Sequence, residues 1–534
     1  MNDLVIRVVA SVVTACLFCF ATFQSLGAMQ QAGYKNGGFW RWLKRRENLY
    51  FNRLWVWALC LALTGAVTSL SFSFLDVRWA LAISAVPFFA VSLFFLYADG
   101  KYALKVPVKR TGRLRRLFVV YLLLVAILAD VAITLLGFLS EKNGSELYAL
   151  VAYTPFALMP ILLPVLLCLA NAIDAPFENL RNRRFVRRAK SVLSTSDVIK
   201  IGVVGSYGKT SVKNILKNVL AEKYAVIETP ASYNTPIGIA KTVTDGEFHG
   251  KQILIAEMGA RKSGDIAELC KLVEPDYAIF TGICEQHVQT FGSLENIWNE
   301  KKEILRCGAK KVVCGAGLKA RVEAEFSGAE NVVIAETSAV ENVKLEGTKT
   351  SFALRLGKET IEIETPLLGM AAVENIQLAA TLALALGVTP EQIRAGIEKT
   401  LPIPHRLQLI ENGGAYILDD GYNCNPRGAE EGLAALGRFA GRKCIVTPGI
   451  VECGVLEERV NADLGEKIAA AELDKVILVG ETLVGAVKDG YAQGGGKSEN
   501  LVTVKTLKDA QAVLGEWITA GDAVLFLNDL PDVY

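Results

Sequence analysis

The run Gly205-Ser206-Tyr207-Gly208-Lys209-Thr210-Ser211 stands between a strand-like apolar stretch, Val198 to Val204, and a helix-like one, Val212 to Glu222. Strand, glycine loop and helix in that order suit a phosphate. Glycines let backbone N–H groups close on phosphate oxygens, a helix N-terminus favours anions, and a lysine and a hydroxyl serve the terminal phosphates and Mg2+. Lys209 and Thr210 fill those last two roles. The first glycine of the general pattern falls on Val203, so the loop is a Gly-x-x-Gly-Lys-Thr variant, and a plain Gly-rich turn is the bland alternative. Further along, Ile253 to Ala256 reads as a buried strand ending in Glu257, where a carboxylate lies near the phosphate loop and can hold Mg2+. A third strand, Tyr277 to Phe280, leads to Cys284-Glu285-Gln286-His287, and a helix from Leu294 carries Lys301-Lys302-Glu303. Taken singly, His287 reads as structural and Lys301 as a solvated helix lysine; their order and spacing behind the loop change that reading.

The elements that must position these groups occupy only part of the chain. Of 534 residues 51% are hydrophobic and 21% charged, which excludes a disordered chain and a small disulfide scaffold. The net charge of +2 hides a division: residues 1–190 hold 22 Lys and Arg against 9 Asp and Glu, net +13, which leaves −11 for the other 344. Five apolar runs, about Leu4 to Phe23, Leu54 to Phe74, Trp79 to Tyr97, Leu117 to Leu139 and Leu147 to Leu169, approach the roughly 20 residues that a bilayer requires. Basic residues crowd alternate connections, from Lys35 to Arg53, Lys101 to Arg116 and after Arg181. Cytoplasmic loops retain Lys and Arg, so the expectation is an integral protein of the bacterial cytoplasmic membrane, N-terminus outside, with everything after Arg181 cytosolic. The first run is long for a cleaved signal peptide. Asp130, mid-run, is expected to face a partner or cavity. Nucleic-acid binding by the basic runs is not needed to explain them, and 11 scattered cysteines without zinc spacing point to reduced thiols.

In order, Gly205 to Ser211, Tyr233-Asn234-Thr235-Pro236-Ile237-Gly238, Ala256-Glu257-Met258-Gly259-Ala260, His287 to Gly292 and Glu300-Lys301-Lys302-Glu303-Ile304 resemble the central ATPase domain of the Mur ligase family. Pro404-His405-Arg406 looks like the family's junction arginine. Leu418-Asp419-Asp420-Gly421-Tyr422-Asn423-Cys424-Asn425-Pro426 is similar to its Asp-Asp-Ser-Tyr-Asn-Ala-Asn-Pro segment, and Thr447 to Gly454 continues the likeness. The resemblance covers about residues 196–534. The fold class expected is an α-helical membrane region followed by α/β: membrane region 1–180, central P-loop ATP-binding domain 194–401 and a Rossmann-like C-terminal domain 402–534. Three apolar stretches, Cys444 to Val446, Val476 to Val479 and Ala523 to Leu527, suit the last sheet.

The resemblance implies ATP-dependent amide bond formation through an acyl phosphate, joining D-alanyl-D-alanine or another amino acid or peptide to a nucleotide- or lipid-linked cell-wall precursor, with membrane lipid as a further partner. It assigns ATP to Gly205 through Ser211, Asn375 and Asp420, and substrate to Asn234, Tyr422, Asn423 and Asn425. One Mg2+ falls to Thr210 and Glu257 and a second to His287 and Lys301, the latter aligned with the family's carbamylated lysine and Lys302 leaving the register open by one residue. Arg406 would bind phosphate as the C-terminal domain closes. Three departures stand out. Gly369-Met370-Ala371-Ala372-Val373-Glu374-Asn375 replaces a Gly-x-His-Asn-x-x-Asn pattern, Asn528-Asp529-Leu530 a Lys-Gly-Ser one, and apolar runs stand where a UDP-sugar-binding domain is usual. A ligase for another carboxylate, such as a polyglutamate product, a non-catalytic nucleotide-binding scaffold in envelope synthesis and, more weakly, a transporter remain the alternatives.

Overall fold

A computed structural model describes residues 3–44, 63, 108–143, 146–285, 288–422, 424–451, 453–480 and 482–528. Two compact units meet in the chain at Asn182 and Arg183.

The described residues of the first unit are helical: α1 (Asp3–Ala21), α2 (Phe23–Gln31), α3 (Asn36–Leu43), α4 (Gly112–Asn143) and the start of α5 (Glu146–Thr195). Phe18, Leu26, Met29, Phe39, Leu117, Tyr121 and Leu167 form its core. Asp130 finds its partners inside the unit, Arg7 Nε at 3.1 Å and the Ser11 hydroxyl at 3.3 Å. Among the described residues no helix is long and apolar enough to cross a membrane. The expected five-span membrane location is corrected accordingly. The runs at Leu54 and Trp79 lie outside the described residues. The first run is divided at Thr22, whose hydroxyl bonds to Phe18 O and Tyr121 Oη, and the fourth carries the Asp130–Arg7 pair. The membrane-lipid partner loses its support with them.

The second unit holds three sheets. The first is wholly parallel, with strand order β2 (Val226–Glu228), β3 (Ile253–Glu257), β1 (Ile199–Val204), β4 (Tyr277–Phe280), β5 (Lys311–Cys314), β6 (Val332–Ile334). Its strands read as unbroken apolar runs because both faces are covered. Val204, Leu254, Ala256 and Phe280 face one core, which the end of α5 closes with Ala189 and Leu193; Ile201, Val203, Ile255 and Ile279 face the other. That second face is filled by α6 (Lys209–Ala221) and α12 (Met370–Ala385). Around the sheet run α7 (Pro236–Thr244), α8 (Asp265–Val273), α9 (Val288–Phe291), α10 (Leu294–Lys301) and α11 (Lys319–Phe326). A small antiparallel sheet of β7 (Val340–Leu345), β8 (Thr350–Leu356) and β9 (Glu359–Thr365) precedes α12, and α13 (Pro390–Glu398) follows it.

The last sheet has the order β10 (Gln408–Asn412), β11 (Ala415–Asp420), β15 (Ala523–Leu527), β12 (Lys443–Thr447), β13 (Lys475–Val479), β14 (Leu501–Val504). All its pairs are parallel except β10 with β11. Strand residues again alternate between two cores, Leu418, Ile445, Val476 and Leu525 on one side, Cys444, Val446, Ile477 and Val524 on the other. The helices beside it are α14 (Pro426–Leu436), α15 (Glu457–Ala470), α16 (Val484–Gln493) and α17 (Leu507–Trp517).

Candidate active site

Parallel strands deliver their C-terminal ends to one edge, and that is where ligands of such sheets gather. At the end of β1 the chain turns through the glycine loop into α6. Gly208 has φ +73°, the left-handed region that glycine enters without cost. A Cβ there would meet Asn375 Oδ1 at 2.6 Å, and one on Gly205 would fall 1.9 Å from Thr281 Oγ1. The loop is thus pressed between β4's exit and Asn375 on α12, and Ser206 N–H donates to Gly282 O at 2.8 Å. The buried Ser206 hydroxyl has no hydrogen-bond partner among the described residues.

A cavity of about 300 Å3 opens here, lined by Ser206 through Ser211, Asn234, Glu257, Lys301, Arg406, Tyr422 and Asn425 among others. β1 and β3 pair so that Glu257 stands opposite Val203. The Glu257 carboxylate, only 2% exposed, accepts from Thr210 Oγ1 at 3.1 Å and from Asn234 Nδ2 at 3.2 Å. Hydroxyl and carboxylate oxygens side by side suit a hard cation such as Mg2+. Among the described residues no three His, Cys, Asp or Glu side chains cluster as a metal site. Lys209 folds its Nζ back onto the carbonyls of Gly205 at 2.8 Å and Ser206 at 3.2 Å, and burial holds its pKa below the usual lysine value.

The two adjacent lysines separate cleanly. Lys301 closes α10 with its side chain 2% exposed and its Nζ 3.1 Å from Gly205 O; burial first, then the Lys209 charge, bring its pKa down to about 7. Lys302 begins a 3-10 turn and points away, donating to Glu325 at 2.6 Å. Of the two, Lys301 is the one that lines the cavity.

A second cavity, of about 140 Å3, shares Tyr207, Gly208, Ser211, Arg406, Tyr422 and Asn425 with the first and adds Leu367, Leu368, Ala371, Ala372, Asn375, Pro402, Ile403 and Asp420. Its lining mixes apolar side chains with a few polar and charged ones, the composition of a small-molecule site. Burial pushes the Asp420 carboxyl up to about 6, against the opposing pull of Arg406, while Leu407 N–H donates to it at 3.0 Å. Arg406 lies 4.6 Å over the Tyr422 ring, and the Tyr422 and Ser232 hydroxyls are 2.9 Å apart. Asn425 caps α14, accepting from Gly428 N–H at 3.0 Å, so its side-chain oxygen is already engaged. His287 and Asn423 lie outside the described residues.

Several contributors escape the sequence. Lys213, on the inner face of α6 and 2% exposed, donates to Thr229 O and Ala231 O at 2.6 and 2.7 Å and lies 3.3 Å from Glu257 Oε2. Glu300 accepts from Gly264 and Ile266 N–H, each at 2.6 Å, and so fixes α8 beside Lys301. Thr281 and Arg427 both grip Tyr207. Only Lys213 left a trace in the chain, as a cation on an otherwise apolar helix face.

The model of the Mur ligase middle domain matches residues 203–383, and that of the Mur ligase glutamate ligase domain residues 405–528, together more than half of the chain. Over 346 residues the chain is 29% identical to the UDP-N-acetylmuramoyl-tripeptide–D-alanyl-D-alanine ligase of Bacillus subtilis, covering 63% of this chain and 74% of that protein. The Escherichia coli enzyme of the same name is 27% identical over 298 residues, 53% of this chain and 64% of its own length. Among solved structures, MurF ligase from Thermotoga maritima in complex with ADP superposes with a TM-score of 0.59 at 25% identity, covering 66% of this chain and 81% of that one. MurF from Acinetobacter baumannii gives 0.59 at 23% identity, over 66% and 78%. The chain belongs to the Mur ligase family of ATP-dependent enzymes that form carbon–nitrogen bonds, and carries the family's middle and glutamate ligase domains.

Proposed function

We propose that the chain joins D-alanyl-D-alanine to a UDP-linked muramoyl-tripeptide. The observation that carries this reading is the meeting of Lys209, Thr210, Glu257, Lys301 and Arg406, from four separate segments, on one cavity. The likeness to UDP-N-acetylmuramoyl-tripeptide–D-alanyl-D-alanine ligases supports it.

In this reading a substrate carboxylate oxygen attacks the γ-phosphorus of ATP, ADP leaves, and the acyl phosphate is then attacked by the amine, which expels phosphate and yields a proton. The chain's work is to gather negative charge and keep water out. The loop N–H groups and Ser206 cradle the β- and γ-phosphates, and Lys209 is freed from its two carbonyls to meet them. Thr210 and Glu257 would hold Mg2+, which when bound neutralises phosphate charge. The apolar slot at Leu367, Ala371 and Ala372 takes the base, with Asp420 at the ribose. Lys301 is suited to carbamylation: with its pKa brought down to about 7, a substantial share of its buried amine is neutral near pH 7, and the neutral amine is the form that adds CO2. The carbamate would make it an anion for a second divalent cation. Arg406 and Tyr422 close the acyl phosphate from solvent.

The test is phosphate release by the purified chain with ATP, Mg2+, UDP-N-acetylmuramoyl-tripeptide and D-alanyl-D-alanine. Release that needs both substrates and falls at least about 1,000-fold in Lys209→Ala supports the reading, since phosphate-clamping cations are worth about that much. ATP binding without turnover in the wild type would sink it.

A further inference from the structure

Arg427, on the first turn of α14, stands where three segments come together. One arm of its guanidinium donates to the Tyr207 hydroxyl of the phosphate loop and the other to Glu374 on α12 at 2.5 Å, while its plane lies 4.4 Å from the centre of the Tyr207 ring. Tyr207 is held from behind as well. Its phenol covers Gly282 so closely that a Cβ there would fall 2.1 Å from the hydroxyl, and Thr281 Oγ1 donates to its carbonyl at 2.5 Å. Glu374 precedes Asn375, the residue against Gly208. Arg427 is therefore the connection by which the segment carrying Tyr422 and Asn425 grips the phosphate loop. A fork of five donors on a rigid plane is the side chain that can hold a phenol, a carboxylate and a ring face at once; a lysine cannot.

We propose that Arg427 is a positioning residue for the ligase reaction: it clamps the glutamate ligase domain onto Tyr207 and Glu374, so that Arg406 and Tyr422 arrive over the phosphate loop in register. It acts through Tyr207 and touches no reacting atom. The proposal rests on the ligase reading above and adds to it a requirement for correct closure after nucleotide has bound.

The experiment uses the full chain with ATP, Mg2+, UDP-N-acetylmuramoyl-tripeptide and D-alanyl-D-alanine, and separately ADP binding by calorimetry. Arg427→Ala and Arg427→Lys are expected to lower kcat at least 10-fold, well beyond any weakening of the Kd for ADP, since Arg427 also lines the cavity assigned to the nucleotide. Tyr207→Phe, which removes one oxygen, is expected to lower kcat several-fold alone and to add nothing in the Arg427→Ala background. Three results would overturn the proposal: unchanged kcat in Arg427→Ala, an ADP Kd that weakens in step with kcat/KM, or independent effects of the two substitutions. Should Arg427→Ala unfold, Tyr207→Phe decides by itself, an unaltered kcat counting against the clamp. A wild type without turnover speaks against the ligase reading; an active wild type with unaffected variants speaks against the clamp alone.

Discussion

Burial sets the chemistry of individual side chains here more than charge pairing does. Asp420 is held near pKa 6, above the value near 3.9 of an unfolded aspartate, because the folded protein disfavours its charge. Its penalty is absent where both states are protonated, grows as pH rises from about 4 to 6, and stays constant above. Asp420→Asn keeps the acceptor for Leu407 N–H, so it should stabilise the protein by about 1–2 kcal/mol at pH 7.5 and by nothing below about pH 4, read from urea unfolding at both values. For Lys301 the expected outcome of substitution by alanine is a loss of turnover of about 100-fold or more, with partial recovery in millimolar acetate or another short carboxylate, which would supply the missing anion. Turnover equal to wild type would remove the carbamate role. Lys209, Thr210 and Glu257 could be singled out because phosphate and metal chemistry calls for those types at strand and helix ends, whereas Lys301 drew notice through its place behind the loop and the family resemblance. Arg427 and Thr281 were not singled out, and Glu300 stood in the quoted motif without a role. Their roles are set by which distant segment they meet, and the chain records types and local spacing, not meetings.

At the level of elements, the strands announced themselves. Ile253 to Ala256 and Tyr277 to Phe280 are apolar throughout because helices cover both faces of the sheet, and the three apolar stretches expected near the C-terminus are β12, β13 and β15. The antiparallel sheet β7 to β9 passed unnoticed: Glu341, Glu359 and Glu362 face solvent and dilute its apolar positions. Helix ends follow local rules. Thr389 and Gln392 form a reciprocal capping box at the start of α13, so Thr389→Ala should cost about 1 kcal/mol, measured as a lower urea midpoint with unchanged slope. In α12, Leu382 is fully buried against the P-loop face of the sheet. Leu382→Ala should cost about 2–5 kcal/mol by the same measurement, a loss of packing with no change in any polar contact.

Over the whole molecule, hydropathy said less than it promised. An apolar run reports that side chains avoid water; it does not say whether lipid or another helix covers them. In the first unit Phe18, Leu117, Tyr121 and Leu167 bury one another, and Asp130 and Thr22 interrupt two of the runs with paired polar groups. The second unit starts earlier than its first strand, since Ala189 and Leu193 at the end of α5 complete its core. A fragment beginning at Arg183 should therefore keep the core of the first sheet complete, whereas one beginning at Val198 should be less stable by about 2–5 kcal/mol, the cost of emptying those two positions. Equal midpoints for the two fragments would contradict that boundary. The close packing around Tyr207 also bears on how this segment can vary. Gly205, Gly282 and Gly315 each face Thr281 or Tyr207 with no space for a methyl group. Even an alanine at any of the three would push against the phosphate loop or its support, so a screen of point variants should recover few replacements there.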